Sequence, residues 1–154
     1  MCPASTHWRA IPMPVDPNAI VAEARSWLGV PWRHQGRDRS GIDCGGLVVR
    51  VAHALDLSQY DTSNYARRAK DFQFLEHFRA GLGMTSVRMS DVRPGDVVIF
   101  VDRASPCHCG FYTLQDGAPS FVHAHALRRQ VIEELLIGEW RAAAKFVFRW
   151  PGVA

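Results

Sequence analysis

The chain lacks several things, and each lack excludes a class of protein. No apolar run approaches the ~20 residues of a membrane span, so no membrane insertion is expected. The opening residues, "MCPASTHWRAIPMPVDP", contain no apolar h-region of a secretory signal. Synthesis in the cytoplasm without a signal peptide is therefore expected, and Cys2 does not read as a lipoprotein anchor. Lysine is scarce: 16 of the 18 basic residues are arginine. They are spread along the chain, and the net charge is only +3, so the dense basic stripe of a nucleic-acid binder is missing. Internal repeats and low-complexity segments are missing too. The four cysteines (Cys2, Cys44, Cys107, Cys109) make no disulfide framework. A chain of this length needs no staples, and a reducing compartment would not keep them.

What remains is an ordinary globular composition, 47% apolar and 21% charged over 154 residues, enough for one domain with its own core. Residues 1–17 carry Pro3, Pro12, Pro14 and Pro17 and read as an irregular arm; residues 18–154 read as a single domain. Asp16-Pro17 is a helix start. It precedes "NAIVAEARSWLG", which puts Ile20, Val21, Ala24, Trp27 and Leu28 on one face before Gly29. "VPWRHQGRDRSGID" reads as a loop. A second helix runs from Cys44 to about Leu57, with Leu47, Val48, Val51 and Leu55 at helical spacing. "SQYDTSNYARR" is a polar connection, and "KDFQFLEHFRAGLG" a shorter helix stopped by Gly81. The period then shortens. "RPGDVVIFV", "HCGFYTL", "SFVHAHA", "RRQVIEE" and "KFVFRWP" read as strands, "QDGAPS" as a turn, and "LLIGEWRAAA" fits either class. Helices first and antiparallel strands after predict an α+β domain.

Cys44 carries the chemical signal. It falls in the first turn of the second helix, where unpaired N–H groups and the positive end of the helix dipole favour a thiolate. Gly45 and Gly46 remove side chains beside it and let a substrate carbonyl approach; the Cys44 N–H is placed to steady an oxyanion. A buried cap residue followed by a tight turn explains the same stretch equally well. The balance turns on a base. Of seven histidines, His7, His34, His53 and His77 lie on loops or helices and read as polar surface or half-buried residues. His108, His123 and His125 lie in strand segments. Alternation puts His108 with Gly110 and Tyr112 on one face, Cys107, Cys109 and Phe111 on the other, and His123 with His125. If the two strands are neighbours, His108 and His123 supply a base and a residue that orients it. A rival constellation is a Cys2His2 zinc site from Cys107, Cys109, His123 and His125, at a C-x-C spacing uncommon for zinc. The competing reading of Cys107 and Cys109 places them in the core on the far face of the sheet.

These residues, in this order, resemble the NlpC-type cell-wall cysteine peptidases, whose fold is papain-like. Their D-C-S-G-[LF]-V nucleophile motif stands here as Asp43-Cys44-Gly45-Gly46-Leu47-Val48. The G-x-P-Y-like turn before it stands as "LGVPW", the pGDlvfF strand as "RPGDVVIF", the H-V-G-I-Y strand as "HCGFY", and the f-v-H-A strand as "FVHA". The similarity spans about Asn18 to Trp150. It implies N-terminal helices with the nucleophile at a helix N-terminus, packed on an antiparallel sheet. It implies Cys44, His108 and His123 as the catalytic set, with no cofactor and no metal.

The resemblance also implies a substrate, the peptide stems of peptidoglycan, typically cut between D-glutamate and the diamino acid. Trp32, Arg33, Asp43 and Gly45 are the candidate substrate-binding positions; Arg33, Arg37 and Arg39, on the loop leading to Cys44, are suited to free carboxylates, with a solvated loop as the competing reading. Two departures stand out: Gly45 replaces the usual Ser, and Trp32 replaces the usual Tyr, so an indole that can only donate stands where a phenol is usual. The nucleophile loop and its arginine-rich approach are similar to the subset carried by phages and phage-like particles. Tail proteins are thus expected partners, with delivery of the chain to the cell wall. A non-catalytic wall-binding or tail-assembly component on the same fold, and an amidase or acyltransferase using the same dyad, are the alternative readings.

Overall fold

A computed structural model describes residues 13–66 and 73–154. Most of the predicted arm, including His7 and Cys2, lies outside the described residues, as does the start of the predicted third helix at Lys70–Phe72. Helix α1 spans Pro17–Arg25, capped by the Asp16 side chain on the Asn18 N–H at 2.8 Å. Strands β1 (Arg37–Asp38) and β2 (Gly41–Ile42) form a small hairpin inside the segment expected to be a plain loop. Helix α2 spans Cys44–Ala54. Helix α3 (Gln73–Glu76) continues into a π-helical turn, His77–Gly81.

Then come β3 (Thr85–Val87), β4 (Val97–Asp102), β5 (Ser105–Gln115), β6 (Ala118–His125) and β7 (Gln130–Leu135). The ambiguous "LLIGEWRAAA" contains a six-residue helix α4, Gly138–Ala143, ahead of β8, Ala144–Arg149. The large sheet has the order β3-β8-β4-β5-β6-β7 and is antiparallel throughout. The α+β architecture read from the sequence is therefore the one observed.

The sheet is buried on both faces, which is why "VVIF" is apolar without alternation. Val97, Ile99, Phe111, Val122 and Phe148 meet Ile20, Leu47, Val48, Val51 and Phe78 in the main core. Val98, Phe100, Tyr112, Phe121 and Val147 pack on the other face, under Trp140 of α4. Between β5 and β6 the predicted turn contracts to Asp116-Gly117, with φ of 49° and 81°. This two-residue turn matches strand twist and fixes the β5–β6 register. Asp96, buried ahead of β4, accepts two bonds from Arg149, both at 2.7 Å, so the Gly-Asp of "RPGDVVIF" ties β4 to β8.

Two helical expectations need correction. Helical spacing puts Leu28 on the buried face of the first helix, but it is 43% exposed. After Arg25 the chain tightens to i→i−3 bonds (Trp27 N–H to Ala24 and Leu28 N–H to Arg25, each 3.1 Å). That rotates Leu28 outward while Trp27 stays buried. The second helix ends at Ala54 rather than Leu57, and Asp56 then turns through φ 54°.

Candidate active site

Asp43 organises the start of α2. Its backbone is extended and its Oδ1 accepts from the Gly46 N–H at 2.8 Å, an N-cap bond. The same buried carboxylate accepts from the Gln35 N–H at 2.7 Å, the Tyr65 hydroxyl at 2.8 Å and Arg37 Nη1 at 3.3 Å. Cys44 is thereby fixed as the first residue of the helix, its sulfur at the positive end of the dipole. Burial and the Asp43 charge push the Tyr65 phenol up.

The two glycines have different reasons. A Cβ on Gly45 would meet nothing nearer than Asp43 Oδ1 at 4.0 Å, so this position opens onto the cleft and has room for the family's serine. A Cβ on Gly46 would collide with the Gly36 carbonyl and come within 2.7 Å of Arg37 Nη1. Access, the reason offered for both, holds for Gly45; close packing under the β1–β2 segment holds for Gly46.

The Cys109 thiol hydrogen-bonds the Cys44 sulfur, and this contact is the largest influence holding the Cys44 thiol well below its ordinary value. The charge of His108 and a hydrogen bond from its ring act in the same direction, against burial and the Asp43 charge. Burial and the neighbouring Cys44 push the Cys109 thiol well up, so Cys109 keeps its proton and donates it to the Cys44 sulfur. Cys109 is a core residue, as expected from alternation, but one that meets the Cys44 sulfur.

Cys107 departs from its expected place. The β4–β5 register shifts at Phe100/Val101, pairing Phe100 with His108 and Val101 with Pro106. Cys107 is the extra residue of this bulge; it is half-buried, lines the cleft, and its Sγ lies 3.9 Å from the Phe100 carbonyl oxygen. The four residues of the zinc constellation do not converge. Cys109 packs in the main core under α2, whereas His123 is engaged by His108 and Glu134. Among the described residues no group of three or more His, Cys, Asp or Glu side chains is placed to hold a metal ion.

The structure brings Cys44, His108 and His123 together. His108 Nε2 lies 2.7 Å from His123 Nδ1, which leaves His108 Nδ1 for the Cys44 sulfur. His123 is fully buried, and its Nε2 lies 2.9 Å from Glu134 Oε1. Burial, and behind it the charges of His108 and His125, push His123 down to about 2, so its ring is neutral. Trp140 covers the pair, with ring centroids 5.5 Å from His108 and 5.0 Å from His123. His125, whose role alternation left open, accepts from the Leu127 N–H at 3.2 Å and shapes the β6–β7 turn.

Cys44 and His108 border a cleft of about 710 Å³, and His123 lies buried behind His108. Trp32, His34 and Leu127 line it on the α2–β6 side, and Tyr60, Tyr65 and His77 line it from the connection expected to be merely polar and from the π-helical turn. The loop arginines behave differently from one another. Arg37 lines the cleft, but its guanidinium is taken by Asp61, Asp43 and the Gly36 and Thr62 carbonyls. Arg39 stacks on Trp27 at 3.7 Å, outside the lining. Arg33 is exposed beside Asp38, also outside it. Glu134 and Tyr65 are the site neighbours that sequence reasoning missed. Nothing local marks either, since Tyr65 meets Asp43 across 22 residues and Glu134 meets His123 only through the β6–β7 register.

A helix-capped cysteine facing two hydrogen-bonded histidines on an antiparallel sheet defines an α+β domain of the cysteine-hydrolase type. The chain belongs to the NlpC/P60 family, whose model matches residues 29–146. It is 27% identical over 122 residues to the murein DD-endopeptidase MepS/murein LD-carboxypeptidase of Escherichia coli K12, covering 79% of this chain and 56% of that protein. It is 30% identical over 105 residues to the probable endopeptidase NlpC of the same strain, covering 66% and 57%. It is 28% identical over 137 residues to the gamma-DL-glutamyl hydrolase of Bacillus subtilis strain 168, covering 87% and 29%. The chain thus spans about half the length, or less, of these curated relatives. The NlpC/P60 domain of peptidoglycan hydrolase SagA superposes with a TM-score of 0.62 at 24% identity, covering 88% of this chain and 99% of that one. An NlpC/P60 family protein from Bacillus cereus ATCC 10987 gives 0.67 at 19% identity, covering 91% and 41%. These two likenesses show the fold.

Proposed function

We propose that the chain is a cysteine peptidase that hydrolyses amide bonds in the peptide stems of peptidoglycan. The observation that carries this reading is the Cys44–His108–His123 set: a thiol held low at a helix N-terminus, with a base whose far nitrogen is anchored 2.7 Å away. The names of the relatives, murein endopeptidase and gamma-DL-glutamyl hydrolase, supply the substrate class.

In the reaction, His108 Nδ1 takes the Cys44 proton. The Cys44 sulfur attacks the amide carbonyl, and the first-turn N–H of α2 steadies the oxyanion. The C–N bond breaks as His108 returns the proton to the leaving amine. Water, deprotonated by His108, then adds to the thioester, releasing the carboxylic acid and restoring the thiol. His123 keeps the His108 ring oriented throughout. Trp32 and Gly45 lie on the cleft wall where a substrate chain passes. Arg33, exposed outside the cleft lining, is assigned to stem carboxylates only by the chemistry of its guanidinium.

The D-glutamyl–diamino acid bond is the proposed point of cleavage. The test is incubation with purified muropeptides and identification of the products by mass. Paired fragments from that bond in the wild type, and none with His108→Ala, support the reading; cleavage at full rate in His108→Ala refutes it. Carriage on phage or phage-like tails is proposed on the resemblance of the nucleophile loop. Mass-spectrometric absence of the chain from purified particles of a producing strain would refute that part alone.

A further inference from the structure

Glu134 stands outside the triad that the sequence brings to mind, on β7, the outermost strand beside β6. Its Oε1 lies 2.9 Å from His123 Nε2, and the opposite nitrogen of that ring lies 2.7 Å from His108 Nε2. Its side chain keeps about 30% of its surface exposed, whereas His123 has none. A carboxylate can only accept hydrogen bonds. A neutral imidazole has one N–H and one lone pair, and its partners decide which nitrogen has which.

Building on the peptidase reading above, we infer that Glu134 is a positioning residue for the catalytic base, acting through the tautomer of His123. The contact requires the proton of His123 on Nε2. His123 Nδ1 is then an acceptor, and the bond to it must come from a His108 Nε2–H. With its Nε2 protonated, neutral His108 has its lone pair on Nδ1, the nitrogen left for Cys44. The opposite polarity is disabling. A His123 Nδ1–H would donate to His108 Nε2, neutral His108 would carry its proton on Nδ1, and no lone pair would meet the thiol. Burial removes water as a competing arbiter, because His123 is enclosed by Phe121 and Trp140, at centroid distances of 4.2 and 5.0 Å. The other titratable groups facing the pair are Cys44, with its Cys109 partner, and His125, which feels Arg128. Glu133, the adjacent acid, is engaged by Arg25 and Thr113 on the opposite face of β7 and does not compete.

The relay is tested on the full chain with Glu134→Gln and Glu134→Ala, beside His108→Ala. Glu134→Ala should lower kcat about 10- to 100-fold, the usual loss when an outer orienting partner is removed, with KM unchanged. Glu134→Gln, whose amide can accept or donate, should recover part of the loss. The imidazole 15N shifts of His123 give a readout independent of turnover: the wild type should show the Nε2–H tautomer, and Glu134→Ala a mixture. A wild-type kcat in Glu134→Ala, or an Nδ1–H tautomer in the wild-type protein, would overturn the inference. Full activity in His108→Ala would instead overturn the peptidase reading, and the 15N shifts would still decide the tautomer. If Glu134→Ala fails to fold, the wild-type shifts and Glu134→Gln decide it.

Discussion

A Cβ on Gly110 would lie 3.0 Å from the Cβ of His123 and 2.9 Å from the Phe121 ring. Backbone without a side chain on β5 is what lets the second histidine meet the first edge-on, their ring planes 77° apart. Gly110→Ala should therefore push His123 off His108 while the core on the other face persists. The expected result is a 10-fold or greater loss of kcat with a folded, cooperative melting transition. Wild-type kcat in this variant would show that the close approach is not needed.

Cys109 and Asp43 act on Cys44 in opposite directions, the thiol as hydrogen-bond donor and the carboxylate as a like charge. Alkylation of Cys44, mapped by peptide mass, should be half-maximal in the wild type well below the ordinary thiol value of 9.0. Cys109→Ala should move that midpoint up. Cys109→Ser, which keeps a donor, should move it less. Unchanged midpoints in both would remove Cys109 from the role.

Loss of the Asp43 cap should cost stability. Asp43→Ala removes the acceptor of the Gly46 N–H and strands the donors of Gln35 and Tyr65. A cap and a buried donor together are worth about 3 kcal/mol. Tyr65→Phe, which removes one donor and leaves the carboxylate, should cost about 1 kcal/mol. Urea midpoints check both, and a larger loss for Tyr65→Phe than for Asp43→Ala would contradict the assignment.

His123 gives the fold a pH dependence. Its folded value of about 2 lies below the ordinary 6.5, so between these values the unfolded chain binds a proton that the native one does not. Stability from this residue is complete above about 6.5 and declines as the pH falls, by up to about 1.4 kcal/mol per unit. His123→Gln should reduce the acid slope of unfolding free energy by about one proton. An unchanged slope between pH 4 and 6 would show that His123 is charged in the native state.

Cys44, the proposed nucleophile, was legible because its signals are local: an acid at the N-cap, a cysteine, a glycine pair and an apolar helical stripe within a dozen residues. The histidines were legible through alternation, and the Asp116-Gly117 turn made their strands neighbours. Cys107 was misplaced because a bulge inserts it as an extra residue among paired ones, leaving it half-buried on the cleft wall instead of packed in the core. Of the three loop arginines, only Arg37 lines the cleft, and the partners that take its guanidinium, Asp61 and the Thr62 carbonyl, come from a segment whose pattern says only that it is polar. Glu134 required the β6–β7 register, which no turn chemistry announces, since four residues (126–129) separate the strands.

The thioester on Cys44 is the central claim, and trapping it is the most direct test. Muropeptide should be mixed with the protein, quenched in acid within the first turnover, and digested for peptide mass mapping. The account predicts a mass increment equal to the acyl half of the substrate on the peptide containing Cys44, absent in Cys44→Ala along with all hydrolysis. An adduct on Cys107 or Cys109, or undiminished hydrolysis by Cys44→Ala, would contradict it.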